Sequence, residues 1–279
     1  MAEGPKNIAA SVRQRLLNIA RSSGQDFQTI LIAYALERIL YRLSQTPHRE
    51  AYILKGGMLV TLWTVDPGRF TVDIDFSKLG TSEEDKIISD FTEILTFEAE
   101  DGLSFGEAEI RAAQMTGNQI YGGVRLKTVA FLERVRIPIT IDLGFGDAIT
   151  SSSEVDYGSM LDMPSASVRA YSPATVIAEK YHAVVSLGLA NTRFKDCYDL
   201  YQIPRSTPVD HAQIAPAVKA TFARRKTEIP RTQPIGLSDG FANDPDKVRQ
   251  WKAYTAGSLA EGIELSDATA EIWARLSRI

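Results

Sequence analysis

Two stretches of this chain alternate on a period of two, and together they call for a sheet with one covered face. In Thr71-Val72-Asp73-Ile74-Asp75-Phe76, Val72, Ile74 and Phe76 fall on one face of an extended strand, with Thr71, Asp73 and Asp75 on the other. In Ile137-Pro138-Ile139-Thr140-Ile141-Asp142-Leu143 the isoleucines and Leu143 share a face, and Asp142 lies opposite. The apolar faces must be buried against another layer. The other faces carry three aspartates, a residue that strand interiors disfavour. An Asp-x-Asp pair on one strand places its Cα atoms roughly 6.5–7 Å apart, which suits two divalent ions about 3.5–4 Å apart. The same spacing also occurs on ordinary solvated strands, and sequence alone does not show whether the two strands are neighbours.

Around these strands the periodicity is mostly helical. Residues 1–45 read as two helices, with Val12, Leu16 and Leu17 on the first stripe, a break at Ser22-Ser23-Gly24, and Ile30, Leu31, Tyr34, Ile39 and Leu43 on the second. A short strand over 51–54 ends at Lys55-Gly56-Gly57, a helix follows over 58–63, and Asp66-Pro67-Gly68 marks a turn. The alternation predicts a strand over 71–77, then a helix over 82–97 with Ser82 as N-cap. Three further strands are expected between 107 and 143, with a hairpin turn at Tyr121-Gly122-Gly123. From 151 onward a serine-rich stretch reads as loop, Ser172-Pro173 caps a helix to 187, and another helix covers 193–201. The remainder is helical, interrupted by Pro230 and Pro234. The expected class is therefore α+β: a mixed sheet core with N-terminal helices over 1–150, and a helical C-terminal half over 151–279.

A single cysteine excludes an intramolecular disulfide, and with three histidines it leaves no zinc-type cluster. Any metal would be a hard cation on carboxylates. The formal net charge of −4 gives no global signature of a polyanion binder, so an RNA-binding surface would be local. No signal peptide and no membrane-length apolar run is visible, and the expected setting is cytoplasmic.

Other residues could serve the same chemistry. Gly56-Gly57 lies between a strand and a helix, where backbone amides can approach a phosphate, although tight turns use such pairs constantly. Lys55 and Arg69 could add charge to a triphosphate, or simply be solvated. Lys180 rises from a stripe of Val176, Val184 and Leu187, either snorkelling or reaching for phosphate. Arg193 and Asp196, three apart on a helix, suit an ion pair, and Asp196 beside Lys180 would orient that lysine.

In order, Lys55-Gly56-Gly57, Arg69-Phe70-Thr71-Val72-Asp73-Ile74-Asp75, Asp142, Glu179-Lys180 and Arg193-x-Lys195-Asp196-x-x-Asp199 resemble the AbiEii/AbiGii-type nucleotidyltransferase toxins of the DNA polymerase β-like superfamily. The resemblance spans about residues 10 to 205. Gly56-Gly57 replaces the superfamily's usual Gly-Ser, and Thr71 stands where family members carry serine. The resemblance implies transfer of a nucleoside monophosphate from a nucleoside triphosphate to an acceptor such as the 3′ end of tRNA, restrained by a cognate antitoxin. It implies magnesium or manganese on Asp73, Asp75 and Asp142, the last as third ligand or base. Lys55, Gly56, Gly57, Arg69 and Lys180 would bind nucleotide, Asp196 would support catalysis, and Thr71 would be a site of regulatory phosphorylation. A protein or small-molecule acceptor, or a non-catalytic adaptor on the same fold, are the alternatives. Arg224, Arg225, Lys226 and Arg231 are candidates for a local basic patch.

Overall fold

A computed structural model describes residues 7–66, 68–105, 110–115 and 122–279. The chain divides into two compact units interleaved in sequence: Met1–Met58, Phe70–Gly146 and Ser153–Ala170 form one, and Leu59–Arg69, Asp147–Ser152 and Tyr171–Ile279 the other. Pro67 of the expected turn and Tyr121 of the expected hairpin lie outside the described residues.

The first unit holds α1 (Ile8–Ser23), α2 (Phe27–Ser44) and β1 (Tyr52–Lys55). The helix α3 (Gly57–Thr64) starts in it, and β2 (Ile74–Lys78) and α4 (Glu84–Thr96) come next. They precede β3 (Leu103–Ser104), β4 (Arg111–Gln114), β5 (Gly123–Leu132), β6 (Val135–Phe145), β7 (Ser152–Tyr157) and β8 (Ala166–Tyr171). These strands make one mixed sheet in the order β3-β5-β6-β2-β1-β8-β7, with β4 on β5. The two strands read from sequence are neighbours: β2 runs parallel to β6, and Asp75 pairs with Asp142. The buried face is the expected one, since Ile74, Phe76, Ile137, Ile139, Ile141 and Leu143 are essentially inaccessible.

The break between the first two helices falls where expected, with Gly24 at φ 70 closing α1. Three local expectations are revised. The strand starts at Ile74 rather than residue 71, because the Thr71 hydroxyl donates to the Asp73 carboxylate (2.7 Å) and carbonyl (3.2 Å) and bends the chain. Val72 consequently stays exposed. Ser82 does not cap α4; Glu83 is the N-cap, and its N–H is taken by the Thr81 hydroxyl. The serine-rich stretch after 151 is not loop but β7, a strand at the end of the sheet that shows no buried face of its own.

The second unit is helical. It contains the rest of α3, then α5 (Pro173–Leu187), α6 (Phe194–Ser206), α7 (His211–Arg224), α8 (Asp239–Ala242), α9 (Pro245–Thr255) and α10 (Leu265–Leu276). Ser172 caps α5 by accepting from Thr175 N–H, as expected. The helix α5 packs on α6 and α7, and α6 on α9 and α10. Phe194, Cys197, Tyr198 and Tyr201 form the packed side of α6, as the sequence predicts. No helix among the described residues is long and apolar enough to cross a membrane.

Candidate active site

In the sheet unit, strand register lines up four charged residues side by side. Lys55 on β1 pairs with Asp75 on β2, Asp75 with Asp142 on β6, and Asp142 with Arg125 on β5. Residues paired in register project to the same face, so two central carboxylates are flanked by two cations. Arg125 closes on Asp142 with both arms, at 2.7 and 2.6 Å. That hydrogen-bonded pairing, with the fields of Asp73 and Asp75 added, raises the proton affinity of Arg125 above the ordinary arginine value. Of the three aspartates expected from the sequence, Asp142 is bound by this guanidinium, and Asp73 and Asp75 act on it through their fields. Arg125 was not anticipated; its only signal was its place among alternating polar residues on β5.

Gly56 is fixed by two requirements. Its φ of 72 is a region L side chains avoid, and a Cβ there would overlap the carboxylate of Asp75. The glycine thus lets Asp75 lie directly over the backbone at the entrance to α3. Asp73, just before β2, is held by Thr71, so the threonine hydroxyl has a structural task in the folded chain.

The donor set of three carboxylates fits a hard divalent cation, whose ligands are oxygens. Yet among the described residues no three His, Cys, Asp or Glu side chains are gathered closely enough to hold a metal ion. Asp142 has both oxygens on Arg125, so a metal on that carboxylate would have to compete with the guanidinium.

The helical unit holds a second cluster. Lys180 rises from the apolar stripe of α5, and its Nζ lies 2.6 Å from Asp199 and 3.3 Å from Asp196. Asp199 is inaccessible and also takes both arms of Arg69, at 2.9 and 3.0 Å. Asp196 in turn meets Arg193 at 2.9 Å, the expected pair three residues apart. Lys180, Arg69 and Arg193 thus converge on the carboxylates of Asp199 and Asp196. Burial opposes the charge on Lys180, but Asp199 and Asp196 outweigh it and hold the ammonium above the usual lysine range. Burial likewise opposes ionisation of Asp199, and Lys180 and Arg69 outweigh it and keep its carboxyl below the usual range. Asp199 is the hub here, although the sequence alone directed attention to Lys180 and Asp196.

Of the basic residues considered for a surface patch, Arg225 is tied to Glu179 at 3.3 Å and to His182, whereas Lys226 and Arg231 are exposed and Arg224 is half-buried.

The sequence matches the family described as "Nucleotidyl transferase AbiEii toxin, Type IV TA system" over residues 38–273. Among solved structures, JHP933 from Helicobacter pylori shares the fold with a TM-score of 0.50 at 14% identity, over 91% of this chain and 92% of that one. A second Helicobacter pylori structure gives a TM-score of 0.47 at 14% identity, over 91% and 95% of the two chains. An antigenic nucleotidyltransferase-like protein from Paracoccidioides brasiliensis gives 0.36 at 17% identity, over 68% and 88%. No curated protein matches the chain.

Proposed function

The chain belongs to the AbiEii nucleotidyltransferase toxin family, and from that premise we propose that it transfers a nucleoside monophosphate from a nucleoside triphosphate to the 3′ end of tRNA. The observation that carries the reading is the row of Lys55, Asp75, Asp142 and Arg125, with Gly56 shaped around the Asp75 carboxylate. Clustered carboxylates next to a glycine at a helix entrance suit an enzyme that must manage a triphosphate.

The acceptor hydroxyl oxygen forms a bond to the α-phosphorus, the bond from that phosphorus to the β-bridging oxygen breaks, and pyrophosphate leaves. The hydroxyl proton passes to a carboxylate, with Asp142 in that role once Arg125 releases it. Asp73 and Asp75 would hold a divalent cation, magnesium or manganese, with Asp142 a third ligand where it does not serve as the base, and the ion would supply Lewis-acid stabilisation of phosphate charge. Gly56 and Gly57 offer backbone N–H groups to phosphate oxygens, and Lys55 adds a positive charge. Lys180 and Arg69 are assigned to the triphosphate and Asp196 to the support of catalysis. Thr71, which orients Asp73, is the hydroxyl whose phosphorylation would turn that carboxylate away. An antitoxin partner accords with the toxin–antitoxin character of the family, and a tRNA acceptor would put the reaction in the cytoplasm.

The test is incubation of the purified protein with labelled nucleoside triphosphates, a divalent cation and total tRNA. Label should appear in tRNA, and Asp75→Ala should reduce it at least about a hundredfold, the scale of losing a charge-stabilising group. Full activity in Asp75→Ala would remove the site; label in protein or small molecules instead would move the acceptor.

A further inference from the structure

The segment that joins α3 to β2 is fastened within the helical unit at Asp66, Gly68 and Arg69. Asp66 is 6% exposed, and its carboxylate accepts the N–H of Gly68 at 2.8 Å and of Leu259 at 2.9 Å. Leu259 belongs to the turn between α9 and α10. Gly68 approaches the same turn so closely that a Cβ would meet the Gly257 carbonyl oxygen at 2.8 Å and Ser258 Cα at 2.8 Å. Arg69 then closes on Asp199 with both arms. Tyr254 of α9 stands in the field of Arg69 and Asp199, and its ring meets Tyr198 edge-on at 5.9 Å.

The start of the segment is strained. Val65 sits at φ 49 with 81% of its surface exposed. A β-branched residue avoids that region, and an exposed one gains no burial from adopting it. The anchored residues Asp66, Gly68 and Arg69 impose the conformation, and strain of this kind persists where surrounding contacts over-determine it.

We propose that Asp66 is a positioning residue, and that the turn at 257–261 is the anchor by which the C-terminal helices fix the segment leading into Thr71 and Asp73. This assigns a task to the C-terminal helical region beyond packing. The task matters for transfer only if the transferase reading holds, and the test separates the two.

Hydrogen exchange and transfer kinetics are measured on the full chain for Asp66→Ala and Asp66→Asn, the latter keeping one acceptor oxygen. In Asp66→Ala, amides of residues 68–74 should exchange at least about tenfold faster while α5 and α6 keep their protection. The kcat for transfer should fall about tenfold or more with the nucleotide KM within about threefold, and Asp66→Asn should lie between that variant and the wild type. Unchanged exchange over 68–74 would overturn the anchor, and so would loss of protection throughout α5 and α6. Accelerated exchange with kcat per folded molecule intact would overturn the positioning role. If the wild type transferred nothing while Asp66→Ala still loosened 68–74, the anchor would stand and the transferase reading would fall.

Discussion

Replacing Asp199 by asparagine removes one charge while keeping the side chain's shape, and it probes the buried charge cluster of the helical unit directly. Asp199 is inaccessible and meets Lys180 at 2.6 Å and Arg69 at 2.9 Å. At such separations each attraction is about 6 kcal/mol gross for an effective dielectric of about 20, most of it offset by desolvation. Removing one partner exposes the desolvation cost of those left behind, and broken buried pairs typically lose about 3–5 kcal/mol. Asp196, still 3.3 Å from Lys180, keeps the loss within that range. Urea unfolding followed by circular dichroism should give that decrease without a change in slope, and the melting temperature should fall by roughly 6–20 °C. Adding Lys180→Met to Asp199→Asn removes the stranded ammonium, so the double variant should be more stable than the sum of the single losses by at least about 1.5 kcal/mol. Additivity within about 0.5 kcal/mol, or a loss below about 1 kcal/mol for Asp199→Asn, would refute the hub. The direction of each shift sets the pH window. Asp199, held low, contributes above the usual carboxylate range and loses its contribution in acid, while Lys180, held high, loses its own only above the usual lysine range. The cluster should therefore be fully formed near neutral pH.

Two further outcomes are expected. Gly56→Ala forces an L side chain to φ 72 and into the Asp75 carboxylate; the backbone alone costs about 1–2 kcal/mol. Transfer activity should drop by far more than the melting temperature implies, and wild-type activity in that variant would show that Asp75 need not lie there. Burial pushes Glu37 up to about 7 against the hydrogen bonds it receives from Ser159 and Met160. The folded state thus holds a proton that the unfolded chain releases near 4.5, and stability falls as pH rises from there through 7. Glu37→Gln should abolish roughly 2–3 kcal/mol of that fall between about pH 5 and 8 in paired denaturation curves. Parallel curves for the two proteins would exclude Glu37 as the source.

How far the sequence reveals this molecule depends on whether a feature is periodic or non-local. Asp75 and Asp142 were legible because alternation assigns a face to each, and burying the apolar faces together leaves the carboxylates on the same side. Whether they met depended on β2 and β6 being neighbours, which no local pattern shows. Arg125 was hidden for a definite reason: β5 and β6 are joined by Glu133-Arg134, with Glu133 at φ 54. A two-residue hairpin normally advertises itself with Asn-Gly or Asp-Gly, so without a glycine neither the turn nor the register it imposes could be read. The strand β7 escaped because, near the sheet's end and with no buried face, it had no alternation to display.

The charged residues divide along the same line. Lys180 was conspicuous on an apolar stripe, but its identity as a buried cation depends on Asp199, and Asp199 depends in turn on Arg69, 130 residues away. Likewise Asp142 looks like a free ligand in sequence and proves to be engaged by Arg125. Periodicity locates an ionisable group on an element, whereas its counter-ion is set by tertiary packing, and the counter-ion decides its availability. Spacing and resemblance propose Asp73, Asp75 and Asp142 as metal ligands, but in the folded chain Asp142 has both carboxylate oxygens on Arg125. Substituting Arg125 would therefore change what the Asp142 carboxylate can bind without touching any aspartate.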